Sequence, residues 1–469
     1  MSPPAPREEL PWSLFSPTAG ATFRPFRLVV TIPLTSMKKT TLCLLAATLL
    51  IPALLRAEWN LDAGLDIRLR YYATNNLPNS SYGEGASETY GRYRTRVWGS
   101  VENDLGKLYI RLGNEFRDYA YPDSKSASKR FPDVLYVDNL YLETSALLGE
   151  NVKIRLGRQD IAFGKRRIFG EGTPGDGSRS TFFDALRVTW EAGEKKTLDF
   201  AAFYLRDEDW LPTAGKTHAN GKRPSDYAYN GLAQDEYGAI LYWNDRSNAS
   251  LGYDAYYVAK FEKRDKDSKY RAEGKNASYH TLGFRLLPRF SETLTGEVEA
   301  AFQAGTHDHA AGLAYAGLTY APQKGTDFTA AALFLTGDKD GARGKNSWQS
   351  VYNRESCIGD VDSAMYSGND YTNLFYPHLA GSFDLGRAGS LKVQAGPMFA
   401  PKKVADHGSN RGLYANAKWS LNLEKLLQTP YAKGATLSFT GEALRKGNFF
   451  NKGSRDTALL SRVELTWKY

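Results

Sequence analysis

Cysteine is nearly absent from this chain, with two in 469 residues, Cys43 and Cys357. Cys43 sits in an apolar N-terminal segment expected to be removed. Cys357 then stands alone, which excludes a disulfide framework and a thiolate metal site. Histidine is scarce too. Of the six, His218, His307, His309, His378 and His407 fall in or near expected links, and His280 lies apart from them. His307 and His309 share one short link, but two imidazoles without further ligands make a weak metal site. No Ser and His are spaced as a nucleophile and its base. Asp338, Asp340 and Gly341 lack the other ligands of an EF-hand loop. Gly170, Gly172, Gly175 and Gly177 lack the Lys and Ser/Thr of a phosphate loop. No catalytic residue, metal or cofactor is therefore expected.

Long hydrophobic runs are missing as well. The apolar stretch Leu42 to Leu55 is shorter than the roughly 20 residues that a membrane helix needs. It follows Met37, Lys38 and Lys39, contains Pro52 and leads to the small Ala57, the layout of a secretory signal peptide over residues 37–57. Residues 1–36, rich in Pro and without a periodic pattern, read as lying upstream of the true start, and residues 58–469 as the mature domain. Cleavage after Ala57 removes six of the 60 basic and two of the 52 acidic residues, leaving an excess of four positive charges. That near-neutral balance and the lack of a basic module exclude nucleic acid as a partner. Any ionic argument must rest on where the charges lie.

Aromatic residues, by contrast, are plentiful: 29 Tyr, 23 Phe and 9 Trp, in a chain whose mean hydropathy is −0.47. Girdled membrane barrels combine these properties, because only alternate residues of each strand meet lipid. The segment Trp59 to Tyr71 shows that period directly. Trp59, Leu61, Ala63, Leu65, Ile67, Leu69 and Tyr71 alternate with Asn60, Asp62, Gly64, Asp66, Arg68 and Arg70, which gives a strand one oily and one wet face.

Similar segments recur, and about eighteen can be marked. After the first come roughly 90–104, 107–120, 134–146, 151–164, 182–192, 196–208, 236–245 and 249–262. The rest are 279–289, 293–305, 311–321, 326–337, 375–386, 389–400, 411–421, 434–446 and 457–469. Short links such as Asp104 to Lys107 and Gly386 to Gly389 take turns with long polar ones such as Lys165 to Thr181 and Asp338 to Leu374. The fold expected is all-β: a transmembrane antiparallel barrel with long extracellular loops and short periplasmic turns. Two links depart from the rule: Thr306 to Ala310 is short for an outer loop, and Asn422 to Lys433 is long for a periplasmic turn. The last segment alternates Leu459, Val463, Leu465, Trp467 and Tyr469 with Arg462, Glu464, Thr466 and Lys468. It resembles a final strand of the kind that barrel-assembly machinery reads.

If the apolar face meets lipid, the wet face lines a pore. Arg68 and Arg70 then point inward from the first segment, and Arg92, Arg94 and Arg96 from the second. Arg111 and Arg117 follow from the third, Lys153 and Arg155 from the fifth, Arg187 from the sixth and Lys392 from the fifteenth. Asp66, Glu102, Glu115, Glu297, Glu299 and Glu442 interleave with them. Guanidinium forks match carboxylate oxygens, so an anion-selective channel for an anionic saccharide or a small anionic solute is expected. The alternative for each arginine is an ion pair that merely orders the lumen. Barrels of 16 to 18 strands leave a water-filled channel. Expected surroundings are the lipid and lipopolysaccharide of a Gram-negative outer membrane, with the chain as a monomer. A surface-binding or adhesion barrel is the alternative carried by the links Asp209 to Asp235 and Asp338 to Leu374. An outer-membrane enzyme has less support.

The stretch from Leu156 to Trp190 carries a further pattern. Gly157-Arg158-Gln159, a long glycine-containing loop, and then Thr181, Asp184, Arg187 and Val188 before a tryptophan resemble the signature of alginate export outer-membrane proteins. The likeness extends more loosely over the mature chain. It implies an electropositive conduit for polyuronate and a periplasmic turn able to cover the pore, in the place occupied here by Asn422 to Lys433. Arg158 and Arg187 match the motif's arginines, whereas Gln159 stands where an acid is common. Strict alternation puts Arg158 on the opposite face from Arg155, so it lines the lumen only if a bulge shifts the register.

Overall fold

In a computed structural model, the described residues are 59–78, 85–121, 129–170, 182–206, 209–215, 235–263, 276–340, 344–353, 358–359, 361, 372–404 and 406–469. The expected signal peptide, the segment 1–36, Cys357, Thr181 and much of the longest links lie outside them.

Eighteen antiparallel strands form the wall. The first six are β1 (Asn60–Asn75), β2 (Thr89–Asn103), β3 (Gly106–Tyr121), β4 (Lys129–Thr144), β5 (Val152–Gln159) and β6 (Phe183–Gly193). Next are β7 (Lys196–Leu205), β8 (Glu236–Asp245), β9 (Leu251–Glu262), β10 (Ala277–Pro288), β11 (Leu294–Gly305) and β12 (His309–Gln323). The last are β13 (Thr326–Leu335), β14 (Leu374–Asp384), β15 (Ser390–Phe399), β16 (Asn410–Asn422), β17 (Ala435–Lys446) and β18 (Ala458–Lys468). Each pairs with the next, and β18 returns to β1, with Arg70 opposite Glu464 and Tyr72 opposite Arg462. Closure pairs both edges of every wall strand, which is what a bilayer without water demands of a β-structure. Among the described residues no helix is long and apolar enough to cross a membrane.

The two-residue period sorts the faces as expected. Leu69, Val97, Leu142, Leu156, Leu282 and Leu379 stand exposed on the outside, and rings pair there across strands, as with Tyr204 and Tyr237 at 4.6 Å. Short turns are set by local chemistry. Asn103 Oδ1 accepts the backbone N–H groups of Leu105 and Gly106 at 2.9 and 3.2 Å. The unusually short outer link Thr306–Asp308 is a tight turn with His307 and Asp308 both at positive φ. The ring of His309, at the head of β12, is then bonded to Gln303 Oε1 at 2.8 Å.

Two features depart from the expected wall. β5 leaves it at Gln159, not Gly164, because Ile161, Phe163, Ile168 and Phe169 turn inward and pack with Tyr242, Phe203 and Tyr352. Beyond that point the upper end of β4 pairs with a short extra strand, Thr213–Gly215, which adds to the sheet from the loop after β7. The long periplasmic turn holds a helix α1 (Leu423–Leu427), capped by Asn422, and a 3-10 turn at Pro430–Ala432. The helix packs against its own two strands and the neighbouring turn Gly386–Ala388.

Candidate functional site: the inner wall

The inner face of β1–β3 and β15–β18 carries most of the expected arginines. Arg68, Arg70, Arg94 and Arg96 are buried there, and Arg92 and Arg117 are half-buried. Lys392 of β15 is exposed toward the lumen, and Lys418 and Arg462, opposite Thr440 on neighbouring strands, extend the sector. Acids are fewer. Arg94 Nη2 reaches the two carboxylate oxygens of Asp66 at 3.2 and 3.3 Å. Arg92 bonds Glu115 at 3.0 Å, and Arg70 bonds Glu464 and the Tyr72 hydroxyl. The Nε and Nη1 atoms of Arg94 are buried and make no hydrogen bond among the described residues.

Stacked rings hold this sector in place. Tyr72, Tyr90 and Tyr119 form a row across β1–β3, with centroids 4.8 and 5.0 Å apart, and Arg462 and Arg117 lie over the rings of Tyr72 and Tyr90. Trp98, Tyr109 and Tyr141 form a second row with Arg155 over Tyr141 at 4.4 Å. Arginine planes against ring faces lose little freedom, so their charge stays where the strands put it.

A bulge re-aims two side chains of β4. The register of β3 with β4 slips at Asp138, so that Asp138 and Asn139 both join the Arg111 network. Arg96 Nε lies 3.0 Å from Asp138, Arg111 bonds Asp138 and Asp160, and Asn139 donates to Asp160. Arg155 pairs with Glu143 and Arg187 with Asp199. Arg111, Arg155 and Arg187 are thus matched one by one.

Arg158 is a correction. The bulge lies in β4 and not in β5, whose pairing with β6 runs without a slip, so Arg158 keeps the outward register beside Leu156, opposite Asp184. There it is buried under the loop after β7, bonding Asp184 at 2.9 Å and Asp209 at 2.8 Å and lying over Phe182. Trp210 Nε1 donates to Asp184 from outside. The motif's Gly157 has a local reason: its φ is +122°, and a Cβ would meet the Leu140 carbonyl oxygen at 2.3 Å. Gln159 turns its amide to backbone carbonyls, including that of Ala185 at 3.1 Å.

The opposite wall is different. On β9–β11, Asp254, Glu297 and Glu299 face Arg285, which bonds Asp254 at 3.1 Å and Glu297 at 2.9 Å. Arg167, from the inward loop after β5, places Nη1 2.6 Å from Glu297 and 2.5 Å from Glu299, with its guanidinium 3.6 Å from the Tyr315 ring centroid. These carboxylates hold Arg167 above its ordinary value, overcoming the opposing effect of burial. Tyr242 and Tyr256 hydroxyls donate to Asp254 and Glu299. A second inward segment joins the first, with Tyr352 beside Phe169 in a short parallel pairing. Glu442 accepts from the backbone N–H of Val361 and from Tyr414. Glu297 and Glu442 therefore serve as anchors for inward segments.

Sequence reasoning missed Arg167, Arg285, Asp254, Asp138, Asp160 and Lys418. The alternation of the last strand already carried Arg462 and Glu464. Arg285 and Asp254 carried the same signal in their own strands.

A closed barrel whose wet face surrounds a charged lumen, with loops folded into it, defines an outer-membrane channel. The sequence profile described as alginate export matches residues 59–422, and the chain belongs to that family. No curated protein matches it. Among solved structures it resembles a BenF-like porin from Pseudomonas fluorescens Pf-5, at 12% identity and a TM-score of 0.56 over 87% of this chain and 98% of that one. It also resembles the Pseudomonas aeruginosa outer membrane protein opdK, at 12% identity and a TM-score of 0.55 over 87% and 99%. OccK5 (OpdH) of the same organism gives 11% and 0.55 over 87% and 98%. At such identities the likeness is one of fold. Family and fold together place the chain among Gram-negative outer-membrane transport channels.

Proposed function

We propose that this channel passes anionic, carboxylate-bearing solutes, saccharides among them, past the arginine sector of β1–β3 and β15–β18. The observation carrying the reading is Arg94, whose Nε and Nη1 lack hydrogen-bond partners among the described residues. Arg68 and Arg96 are buried on the same inner face. These atoms are closed to solvent, so they act on a passing solute through their charge, while Lys392 in the same sector is open to direct contact. A narrow passage with low-dielectric walls focuses such a field and raises the local concentration of the opposite charge. The family's own description, alginate export, is consistent with a carboxylated polymer.

Liposome swelling tests this. Uronate-type monosaccharides and small carboxylates should enter faster than neutral sugars of equal size and than cationic amino sugars. Equal rates for all three would reject the proposal.

A further inference from the structure

The long turn between β16 and β17 occupies the position where the family likeness implies a cover for the periplasmic mouth, yet its surroundings lie on the other side of the wall. Alternation in β16 and β17 directs Trp419, Leu421, Ala435, Leu437 and Phe439 outward, in register with Trp467 of β18. Outward residues elsewhere in the wall are open, as Leu156 is at 59% and Leu379 at 68%. Leu421 and Ala435, which flank the turn, are both only 7% exposed. The Leu421 side chain lies within 3.1 Å of where a Cβ on Gly389 would stand, in the adjacent turn.

Indole donors point the same way. Trp467 Nε1 donates to the Lys433 carbonyl at 3.0 Å, and Trp419 Nε1 to the Ala388 carbonyl at 2.6 Å. Both tryptophans belong to the lipid-facing aromatic belt, and Trp419 stacks on Phe439. Their bonds tie the backbone of the two turns to that outer belt. α1 packs on Gly386–Ala388, around the rim. What it leaves open includes Leu426, Leu427 at 59% and Tyr431 at 89%, beside exposed Lys425, Gln428 and Lys433.

We propose that Leu423–Gly434 is an interfacial foot, outside the barrel, whose Leu426, Leu427 and Tyr431 enter the inner leaflet of the outer membrane. The occupant of this surface is phospholipid, because the patch continues the outward-facing belt of Trp419, Phe439 and Trp467. Leucine and tyrosine beside lysine suit the boundary between acyl chains and headgroups. Asn422 and Thr429 cap the two short helices, so the foot is a folded element. The periplasmic mouth is then left uncovered by this turn.

The test uses the full-length protein in phosphatidylethanolamine–phosphatidylglycerol liposomes, with Cys43→Ser and Cys357→Ser as background. A nitrobenzoxadiazole dye on Leu427→Cys is compared with the same dye on Lys324→Cys, in another periplasmic turn. Doxyl groups on the acyl chains should quench the dye at 427 several-fold more than the dye at 324, and aqueous iodide the reverse. Iodide quenching at 427 equal to that at 324, with no effect of doxyl lipid, would overturn the proposal, whether the turn lay in water or awaited a periplasmic protein. Replacing Glu424–Ala432 by Asn-Gly should leave single-channel conductance unchanged. A rise would mean that the turn covers the mouth, and would also overturn it. The dye readings stand even if that deletion fails to fold.

Discussion

The two charged walls of the lumen use the same residue types to opposite effect. On β9–β11 every carboxylate named above meets a guanidinium, and one of those, Arg167, is delivered by a loop. On β1–β3 and β15–β18 the strands alone supply the arginines, and Asp66, Glu115, Glu464 and, from β4, Asp138 pair with Arg94, Arg92, Arg70 and Arg96. The first wall is an anchor whose charges close on themselves. The second gathers its arginines and lysines on neighbouring strands, and the proposed anion preference draws on that side of the lumen.

The largest effect should come from thinning that cationic sector. Arg68→Ala with Arg94→Ala is expected to lower the anion-to-cation permeability ratio about tenfold, the lower end of what a focused field supplies. Arg285→Ala on the opposite wall should leave that ratio nearly unchanged. Bilayer recordings of the two variants compare the walls directly, and equal shifts would erase the distinction.

Next in size is the loop anchor. Arg167→Ala strands Glu297 and Glu299 inside the lumen, and losing one partner of a buried pair costs about 3 kcal/mol. Urea unfolding of the detergent-solubilised barrel should show a lower midpoint, with larger or noisier single-channel currents. Arg167→Lys should restore only part of either property, since a lysine cannot fork between two carboxylates. An unchanged midpoint and quiet currents would mean that Arg167 does not hold the loop.

Smaller still is Asp338 in the outer loop, whose oxygens accept the backbone N–H groups of Asp340 and Asn346 at 3.1 Å each. Burial pushes this carboxyl up, but the backbone donors prevail and hold it below its ordinary value. A depressed carboxylate stabilises above its unfolded pKa, and the contribution fades as pH falls through the folded one. Hydrogen exchange at Asp340 and Asn346, corrected for the intrinsic pH dependence of amide exchange, should therefore stay slow at pH 5 and quicken only below about 4. Asp338→Ala should quicken it at pH 5 and above, by an amount matching about 1 kcal/mol. Exchange that quickens already between pH 7 and 5 would contradict this.

Much of the wall was legible because a membrane strand repeats one simple contrast over ten or more residues. All eighteen segments reappear as strands, and the outer and inner faces follow the alternation. What alternation could not reveal is where apolar residues go when a second dry place exists. Ile161 and Phe163 share the inward parity of Arg155, but alternation did not show that the strand ends at Gln159 or that the lumen holds an apolar cluster that takes them. Arg158 was obscured for a related reason. Its burial depends on Asp209 and Trp210, some fifty residues away and joined to it only by the folded loop. Arg167 likewise gains its meaning from Glu297 and Glu299 across the lumen, which no local pattern announces.

The central claim is that the pore's field comes from the cationic sector of β1–β3 and β15–β18. The reversal potential of the unmodified channel under a tenfold salt gradient tests it most directly. A potential of the sign that anions dictate, shrinking as salt screens the wall, is predicted. A cation-signed potential, or one near zero at low salt, would contradict the account.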